Sequence, residues 1–430
     1  MMMRLRPNRS AIGPTKSAAR AVAKISAEIV ALTAASEAWN CMRNSGKSGC
    51  VAYISMKALA PATASARYRT FTSRTPSARA PGSPLQSATS SASLRSQGEM
   101  LLLGIETSCD DTATAVVRDG RTVLSNVSTN QDAFHEKYGG IVPEIASRRH
   151  VALLSAAVDD ALGRANVALD DVDGIAVTAG PGLIGSLVVG VAAAKALAFA
   201  AGKPLYAVNH LHGHIFAAFL DTDREPAYPF LALLVSGGHS QLVEVESPTA
   251  MRVIGKTRDD AAGEAFDKTA RLLGLPFPGG PALDHLAQDG NPQTLQFPRH
   301  RPDPGTLDMS FSGVKTSVRY FLENDAGQTK RADVAASFQA AVVDVLIDRV
   351  TRALDAREYQ AIVLSGGVAA NSALQRAFKE LGRRRHILAL VPLRQYCTDN
   401  AAMIAAAADR RGTAGLADAM TLAADPNLRF

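Results

Sequence analysis

From Met100 onward the sequence predicts an α/β fold, and three observations predict it. Short apolar runs alternate with stretches of helical periodicity in mixed order. Gly-rich turns close several of those runs. There is also a faint internal echo: one apolar run enters Ser236-Gly237-Gly238 and another enters Ser365-Gly366-Gly367. A third small-residue turn, Thr107 to Thr112, lies between two further runs. Strand-to-turn units of this kind, facing one cleft, suggest two related halves around a nucleotide.

The expected strands are Leu101–Ile105, Thr114–Val117, Gly174–Thr178, Phe230–Val235, Gln241–Val245 and Ala361–Leu364. Each is a short apolar run rich in branched side chains. Helical spacing appears at Val151, Leu154, Val158 and Leu162. Ser186–Ala200, Leu211–Leu220, Val334–Leu354 and Asn400–Arg410 also read as helices. The longest apolar stretch, Leu187–Ala201, contains Lys195 and reads as too short to cross a bilayer.

The 430 residues are 47% hydrophobic and 20% charged, which excludes a disordered chain, a collagen-like repeat and a disulfide miniprotein. The four cysteines, Cys41, Cys50, Cys109 and Cys397, show no disulfide or zinc-knuckle spacing, so a reducing compartment is expected. The net charge of +6 is unevenly placed. Residues 1–99 carry 14 of the 46 basic side chains and only Glu28, Glu37 and Glu99 among acids. The rest of the chain has a net charge of −5, so no broad nucleic-acid surface follows from the pI.

Residues 1–99 read as a disordered basic extension, with a weakly helical piece near Ala18–Trp39. An Arg/Ser-rich organelle transit segment is one reading. A start placed too early, with Met100 the true beginning, is the favoured one, because Met100 opens directly into a strand pattern. The expected location is cytoplasmic, or mitochondrial or plastid if the extension is a transit segment.

Three constellations carry chemistry. In His210-Leu211-His212-Gly213-His214, a helix places His210 and His214 on one face, about 6 Å apart, where one metal ion can take both. His212 points elsewhere. Ordinary core histidines are the competing reading. A metalloprotease helix needs Glu beside its first His, and Leu211 stands there. A distant carboxylate would complete a two-His, one-carboxylate set suited to Fe(II) or zinc, and Asp399 is a candidate. From sequence alone, Asp399 or Asn400 reads rather as the N-cap of the Ala-rich helix that follows.

The second constellation is the glycine turns, Ser236-Gly237-Gly238, Gly279-Gly280 and Ser365-Gly366-Gly367, whose backbone N–H groups can approach phosphate oxygens. None fits the P-loop or dinucleotide-binding pattern; Gly180-Pro181-Gly182 reads as a tight turn and helix cap. The third is Asp260, Glu264 and Asp267 at helical spacing, either a ribose-binding acid or a solvated helix face. Arg148-Arg149, Arg299-His300-Arg301 and Arg383-Arg384-Arg385 are local basic spots, read as solvated faces rather than nucleic-acid contacts.

Ten segments in order, from Met100 to Arg410, resemble one family. They are Gly104-Ile-Glu-Thr-Ser-Cys-Asp-Asp-Thr112, Gly139 to Glu144, Gly180-Pro-Gly182, Asn209-His-Leu-His-Gly-His214, Leu234-Val-Ser-Gly-Gly-His239, Asp259 to Lys268, Pro278-Gly-Gly-Pro281, Phe311-Ser-Gly-Val-Lys315, Leu364 to Asn371 and Cys397-Thr-Asp-Asn400. Together they are similar to the universal tRNA N6-adenosine threonylcarbamoyltransferases, called TsaD in bacteria and once described as glycoproteases.

The resemblance implies an actin-like, sugar-kinase-type ATPase fold, two α/β domains around a central cleft. The expected division is 100–208 with 405–430 for the first domain and 209–404 for the second. The implied reaction moves a threonylcarbamoyl group from threonylcarbamoyl-AMP to N6 of the adenosine beside the anticodon of tRNAs reading codons that begin with adenine. By motif, His210, His214 and Asp399 would hold one divalent metal, Fe(II) favoured and Zn(II) allowed. Leu234, Val235, Ser236, Gly237, Gly238, Asp267, Gly280, Asp284 and Asn371 would hold the donor. Asp110 and Asp111 are the candidates for handling the amine proton. The implied partners are the tRNA anticodon loop, an inactive paralogue and a small ATPase subunit, with no membrane. A metalloprotease and a sugar-kinase-like ATPase are the alternatives. His212 and the tail after Arg411 depart from the family pattern.

Overall fold

Two mixed sheets organise the chain. The computed structural model describes residues 99–430, apart from 136, 137, 139, 302, 304, 326, 419 and 420. The basic extension, its helical piece near residues 18–39 and Gly139 thus lie outside the described residues.

In the first sheet, β1 (Leu101–Glu106) pairs antiparallel with β2 (Thr112–Arg118), which continues to β3 (Thr122–Thr129). On its other side β1 pairs parallel with β4 (Gly174–Gly180), and β4 with β5 (Leu205–Asn209). A central strand buried on both faces must be apolar throughout, and the run Leu101–Ile105 is. Helices α1 (Pro143–Ala165) and α2 (Ile184–Ala201) lie against this sheet. Pro143 starts α1 where a missing N–H costs nothing, and Gly202, in the left-handed region at φ 64°, ends α2. α2 is longer than expected and is long and apolar enough to cross a membrane. Here it packs on β4 and α1, with Leu187, Val191, Ala194 and Leu197 buried.

After α3 (His210–Phe216) the second sheet begins. Its strands are β6 (Phe230–Val235), β7 (Ser240–Ser247), β8 (Ala250–Lys256), β9 (Ala361–Ser365) and β10 (Leu388–Leu390). The order β8-β7-β6-β9-β10 repeats β3-β2-β1-β4-β5, with the same parallel and antiparallel neighbours. The echo in the glycine turns is therefore a repeat of topology. Leu231, Leu233 and Val235 face an outer core built with α4 (Ala262–Leu272), α5 (Gly279–Ala287), α6 (Ser312–Asn324), α7 (Arg331–Ala356) and α8 (Ser372–Arg385). Phe230 and Ala232, alternating with them, face the opposite way.

That inner face meets α3 and α9 (Ala401–Arg411), which pack on each other and share one apolar core with Leu102, Ala113, Ala176 and Val208 of the first sheet. Side-chain size decides this arrangement. A Cβ at Gly104 would stand 2.2 Å from the Ala401 carbonyl oxygen, and one at Gly213 would stand 2.8 Å from Ile404 Cδ1. The glycine inside the histidine segment thus lets α3 lie tightly on the Ala-rich α9. β11 (Leu416–Ala417) joins the first sheet beside β5, and Asp425 N–H donates to the Ala179 carbonyl (2.8 Å).

Candidate active site and metal group

The metal-competent group forms where β1, α3 and the N-terminus of α9 meet. Asn209 caps α3, its Oδ1 accepting from Leu211 N–H at 2.9 Å. The next residue, His210, turns its Nδ1 onto Glu106 Oε2 (3.0 Å), with Ser108 Oγ at 3.1 Å. Glu106 is fully buried at the end of β1; it also accepts from Ser108 N–H and Thr178 Oγ1, both at 2.5 Å. A carboxylate on Nδ1 leaves Nε2 free to face the site. His214, one turn on, presents its ring edge to His210 at 4.7 Å between centroids. Asp399 Oδ1 lies 3.5 Å from His210 Nε2 and 3.2 Å from His214 Nε2.

The capping role goes to Asn400 rather than Asp399: its Oδ1 accepts from Met403 N–H (3.0 Å) and its Nδ2 donates to the Thr398 carbonyl (2.8 Å). Asp399 is therefore directed at the histidines. Its oxygen and the two imidazole nitrogens lie within 4.8 Å of one another. Two imidazoles and one carboxylate suit a divalent transition metal, and His214 Nδ1 is buried without a hydrogen-bond partner.

The charges agree with that geometry. Burial alone would depress the His210 imidazole, but Glu106 and Asp399 raise it to about 9. Burial works against the Asp399 carboxylate too, yet His210 and His214 hold it well below the usual range. His239 lies nearby, pushed down to about 4 by burial and by His210 and His214. His212 faces away, as expected: its Nδ1 is 3.1 Å from Arg411 Nη1 and its ring lies 5.1 Å from that of Phe430. The chain neighbour of the first histidine, Leu211, is a buried leucine and supplies no general base.

Asp399 also lines a cavity of about 360 Å³, large enough for a small-molecule ligand. Three strand-to-turn units open on it: Asp110 and Asp111 after β1, Ser236 and Gly237 after β6, and Gly367 and Val368 after β9. Ligand sites in α/β sheets form at such strand ends. Asp267, Gly280, Asp284 and Asn371 complete much of the wall. Leu234 and Val235 do not line it; both are fully buried in β6, where they carry the turn. Gly238 is exposed in the turn and outside the lining. His210 and His214 reach the cavity only through Asp399.

The wall is internally tied. Asp267 Oδ1 accepts from Gly280 N–H (3.0 Å), and Asp284 accepts from Ser372 Oγ (2.8 Å). Asn371 caps α8 through Leu374 N–H (2.9 Å) and donates to Gln339 (2.7 Å). The acidic triplet divides: Asp260 lies ahead of α4 and pairs with Lys268 and Lys315, Glu264 pairs with Lys268, and only Asp267 faces the cavity. The basic spots are largely neutralised, Arg148 by Glu144, Arg299 by Asp344, Arg383 by Glu380 and Arg385 by Asp355. Sequence reasoning gave no individual role to Glu106, His239 or Arg394. For Glu106 a signal existed, an acid closing an otherwise apolar strand run.

A duplicated α/β architecture with a metal-competent His-His-Asp group on the rim of a cavity at its strand ends defines a small-molecule-binding enzyme of the two-sheet α/β class. The family profile described as "TsaD: tRNA N6-adenosine threonylcarbamoyltransferase" matches residues 122–406. The chain is 49% identical over 333 residues to the tRNA N6-adenosine threonylcarbamoyltransferase of Clostridium botulinum, covering 76% of this chain and 97% of that one. It is 52% identical over 313 residues to that of Moorella thermoacetica, covering 72% and 91%. The chain belongs to the TsaD family of tRNA N6-adenosine threonylcarbamoyltransferases. It is an enzyme of tRNA modification that forms threonylcarbamoyladenosine. Among solved structures it is similar to component A of the Acidaminococcus fermentans 2-hydroxyglutaryl-CoA dehydratase (TM-score 0.43, 17% identity, covering 72% of this chain and 96% of that one). It is also similar to the Thermus thermophilus ROK hexokinase (TM-score 0.38, 19% identity, covering 72% and 97%).

Proposed function

We propose that the cavity beside Asp399 is where the threonylcarbamoyl group changes hands, with His210, His214 and Asp399 as ligands of one divalent metal, Fe(II) in preference to Zn(II). One observation carries the reading: Asp399 belongs at once to the His-His-Asp group and to the cavity wall. The donor is threonylcarbamoyl-AMP, as the family implies, and the acceptor is the N6 amine of the adenosine beside the anticodon.

The chemistry is demanding because the amine lone pair is delocalised into the adenine ring, while the mixed anhydride with AMP supplies a good leaving group. A bound metal contributes Lewis-acid polarisation of the carbamoyl carbonyl. Glu106 fixes the His210 tautomer, and Asn400 fixes the direction of Asp399. Gly237, in the turn after β6, offers its backbone N–H to the donor's phosphate and offsets its charge; Gly280, its N–H held by Asp267, serves as wall. Asp267, Asp284 and Asn371 shape the wall around its nucleoside. Asp110 and Asp111, at the turn after β1, accept or position the amine proton. The expected effect of Asp110→Asn and Asp111→Asn is slowed single-turnover transfer; unchanged rates in both variants exclude this role.

The net charge of −5 from residue 100 onward supports weak tRNA binding by the chain alone, with an inactive paralogue and a small ATPase subunit completing the working assembly. The two described cysteines, Cys109 and Cys397, are free thiols, in keeping with a reducing, cytoplasmic location. We infer a division into domains 100–208 with 405–430 and 209–404, which the presence of two sheets supports, its boundary at 404/405 falling within α9. The decisive test is nucleoside mass analysis of tRNA incubated with the chain, its partners, threonine, bicarbonate and ATP. Modified adenosine with the unaltered chain and none with Asp399→Asn is the expected pair of results.

A further inference from the structure

The cavity wall is strongly one-sided in charge. Asp110, Asp111, Asp267, Asp284 and Asp399 all line it, and Arg394 is its one cationic side chain among the described lining residues. Both substrates of the reaction carry phosphate, which a cationic side chain on this wall attracts.

Arg394 is placed to do this. It is exposed, as are Phe277 and Ile141 of the same lining, at 39% and 40%. Like Arg149 and Arg301, and unlike Arg148, Arg299, Arg383, Arg384 and Arg385, it enters no ion pair among the described residues, and it differs from all of them in lining the cavity. The segment carrying it is nevertheless fixed. Arg394 opens a 3-10 turn whose Tyr396 is buried and donates its hydroxyl to Asp221 Oδ2 at 2.6 Å. Buried Cys397 follows, its N–H bonded to the Arg394 carbonyl at 3.3 Å, and Asp399 lies two residues further on. An uncommitted guanidinium on an anchored turn keeps its donors for an incoming oxyanion and loses little chain entropy in binding it.

We propose that Arg394 is the phosphate-binding residue of the cavity mouth and that it holds a backbone phosphate of the acceptor RNA strand, positioning the target base over the cavity. Its exposure favours the strand, which stays outside, over the donor's phosphate, which enters with the nucleotide among the glycine turns. This inference rests on the cavity being the transfer site.

The test is steady-state transfer from threonylcarbamoyl-AMP to an unmodified tRNA transcript by the metal-loaded chain with its partner subunits, using Arg394→Gln and Arg394→Lys, with Asp399→Asn run in parallel. For Arg394→Gln, KM for tRNA rises about tenfold while kcat and KM for the donor hold, as loss of one charge-assisted contact predicts. The dependence of log tRNA affinity on log salt becomes shallower by about 0.7, the share of one phosphate on a single strand. Arg394→Lys restores the salt slope but only part of the affinity. A rise in donor KM alone overturns the strand assignment and places the phosphate on the donor. Unchanged tRNA KM and salt slope overturn the proposal outright. Asp399→Asn separates the two levels: if it transfers normally, the cavity reading has failed, whereas its inactivity beside a normal Arg394→Gln convicts only the role of Arg394.

Discussion

Replacing Glu106 by glutamine keeps a hydrogen-bond acceptor on His210 Nδ1 and removes one charge. In the metal-free protein burial depresses the His210 imidazole, while Glu106 and Asp399 raise it to about 9. An imidazolium cannot ligate, so at pH 7 a metal must displace a proton held about two units above ambient, a cost of roughly 100-fold in affinity, or about 2.7 kcal/mol. The sign follows: metal affinity of the unaltered protein climbs about tenfold per pH unit and levels near pH 9. In the glutamine variant burial gains ground and the levelling moves down toward the ordinary value of 6.5. Loss of the anionic partner also weakens the nitrogen as a ligand by about 10- to 100-fold. The variant therefore binds more weakly at pH 9, and the gap closes and reverses on going down to pH 6.5, where the unaltered protein has lost about two orders of magnitude more affinity than the variant. Competition of Zn(II) against a chromophoric chelator, in half-unit steps of pH, measures both curves. Parallel curves for the two proteins would refute the claim that Glu106 sets the proton competition at His210.

Four further outcomes are expected. Asp399→Asn weakens metal binding by more than about 100-fold in a chelator titration yet leaves the circular dichroism spectrum unchanged, because Asn400 holds the helix cap. Metal-free protein loses stability as pH rises from 6.5 through 9, by at most roughly 3 kcal/mol, since the raised His210 group stabilises the fold only while protonated; denaturant midpoints at the two pH values read this. Asn400→Ala costs about 1 kcal/mol in urea unfolding and also lowers metal affinity, the cap and the aim of Asp399 being set by one side chain. Gly104→Ala lowers stability by about 1–3 kcal/mol, because the added carbon meets the Ala401 carbonyl and pushes β1 off α9; an unchanged midpoint contradicts the packing described.

Six strands were legible in the sequence, β1, β2, β4, β6, β7 and β9, all carrying apolar runs or cores, whereas the short buried β5 was missed. β3 and β8 were missed because both lie at sheet edges with few fully buried side chains, so Thr122–Thr129 and Ala250–Lys256 lack a strong period. Of the helices, α8 was hidden by its charged surface and α5 by Pro281 and its opening glycines. The histidine pair was legible from its four-residue spacing. Asp399 was named as a candidate third ligand, by the family resemblance above all, but its own residue pattern read rather as a cap, and the structure shows that the neighbouring Asn400 takes that place. Arg394 left no trace in the sequence, where nothing distinguishes an arginine with a partner from one without.

The position of α9 has a consequence for biogenesis. Its alanines are the filling between the two sheets, and it follows nearly every other element in synthesis order. While a ribosome is still extending the chain, the inward sides of both sheets, among them Leu102, Phe230 and Val243, have α3 but not α9 to lie against. Such a nascent chain exposes apolar surface and an incomplete His-His-Asp group together until residue 411 has emerged. Translation arrested just before Asn400 would then yield aggregation-prone fragments rather than a slow enzyme.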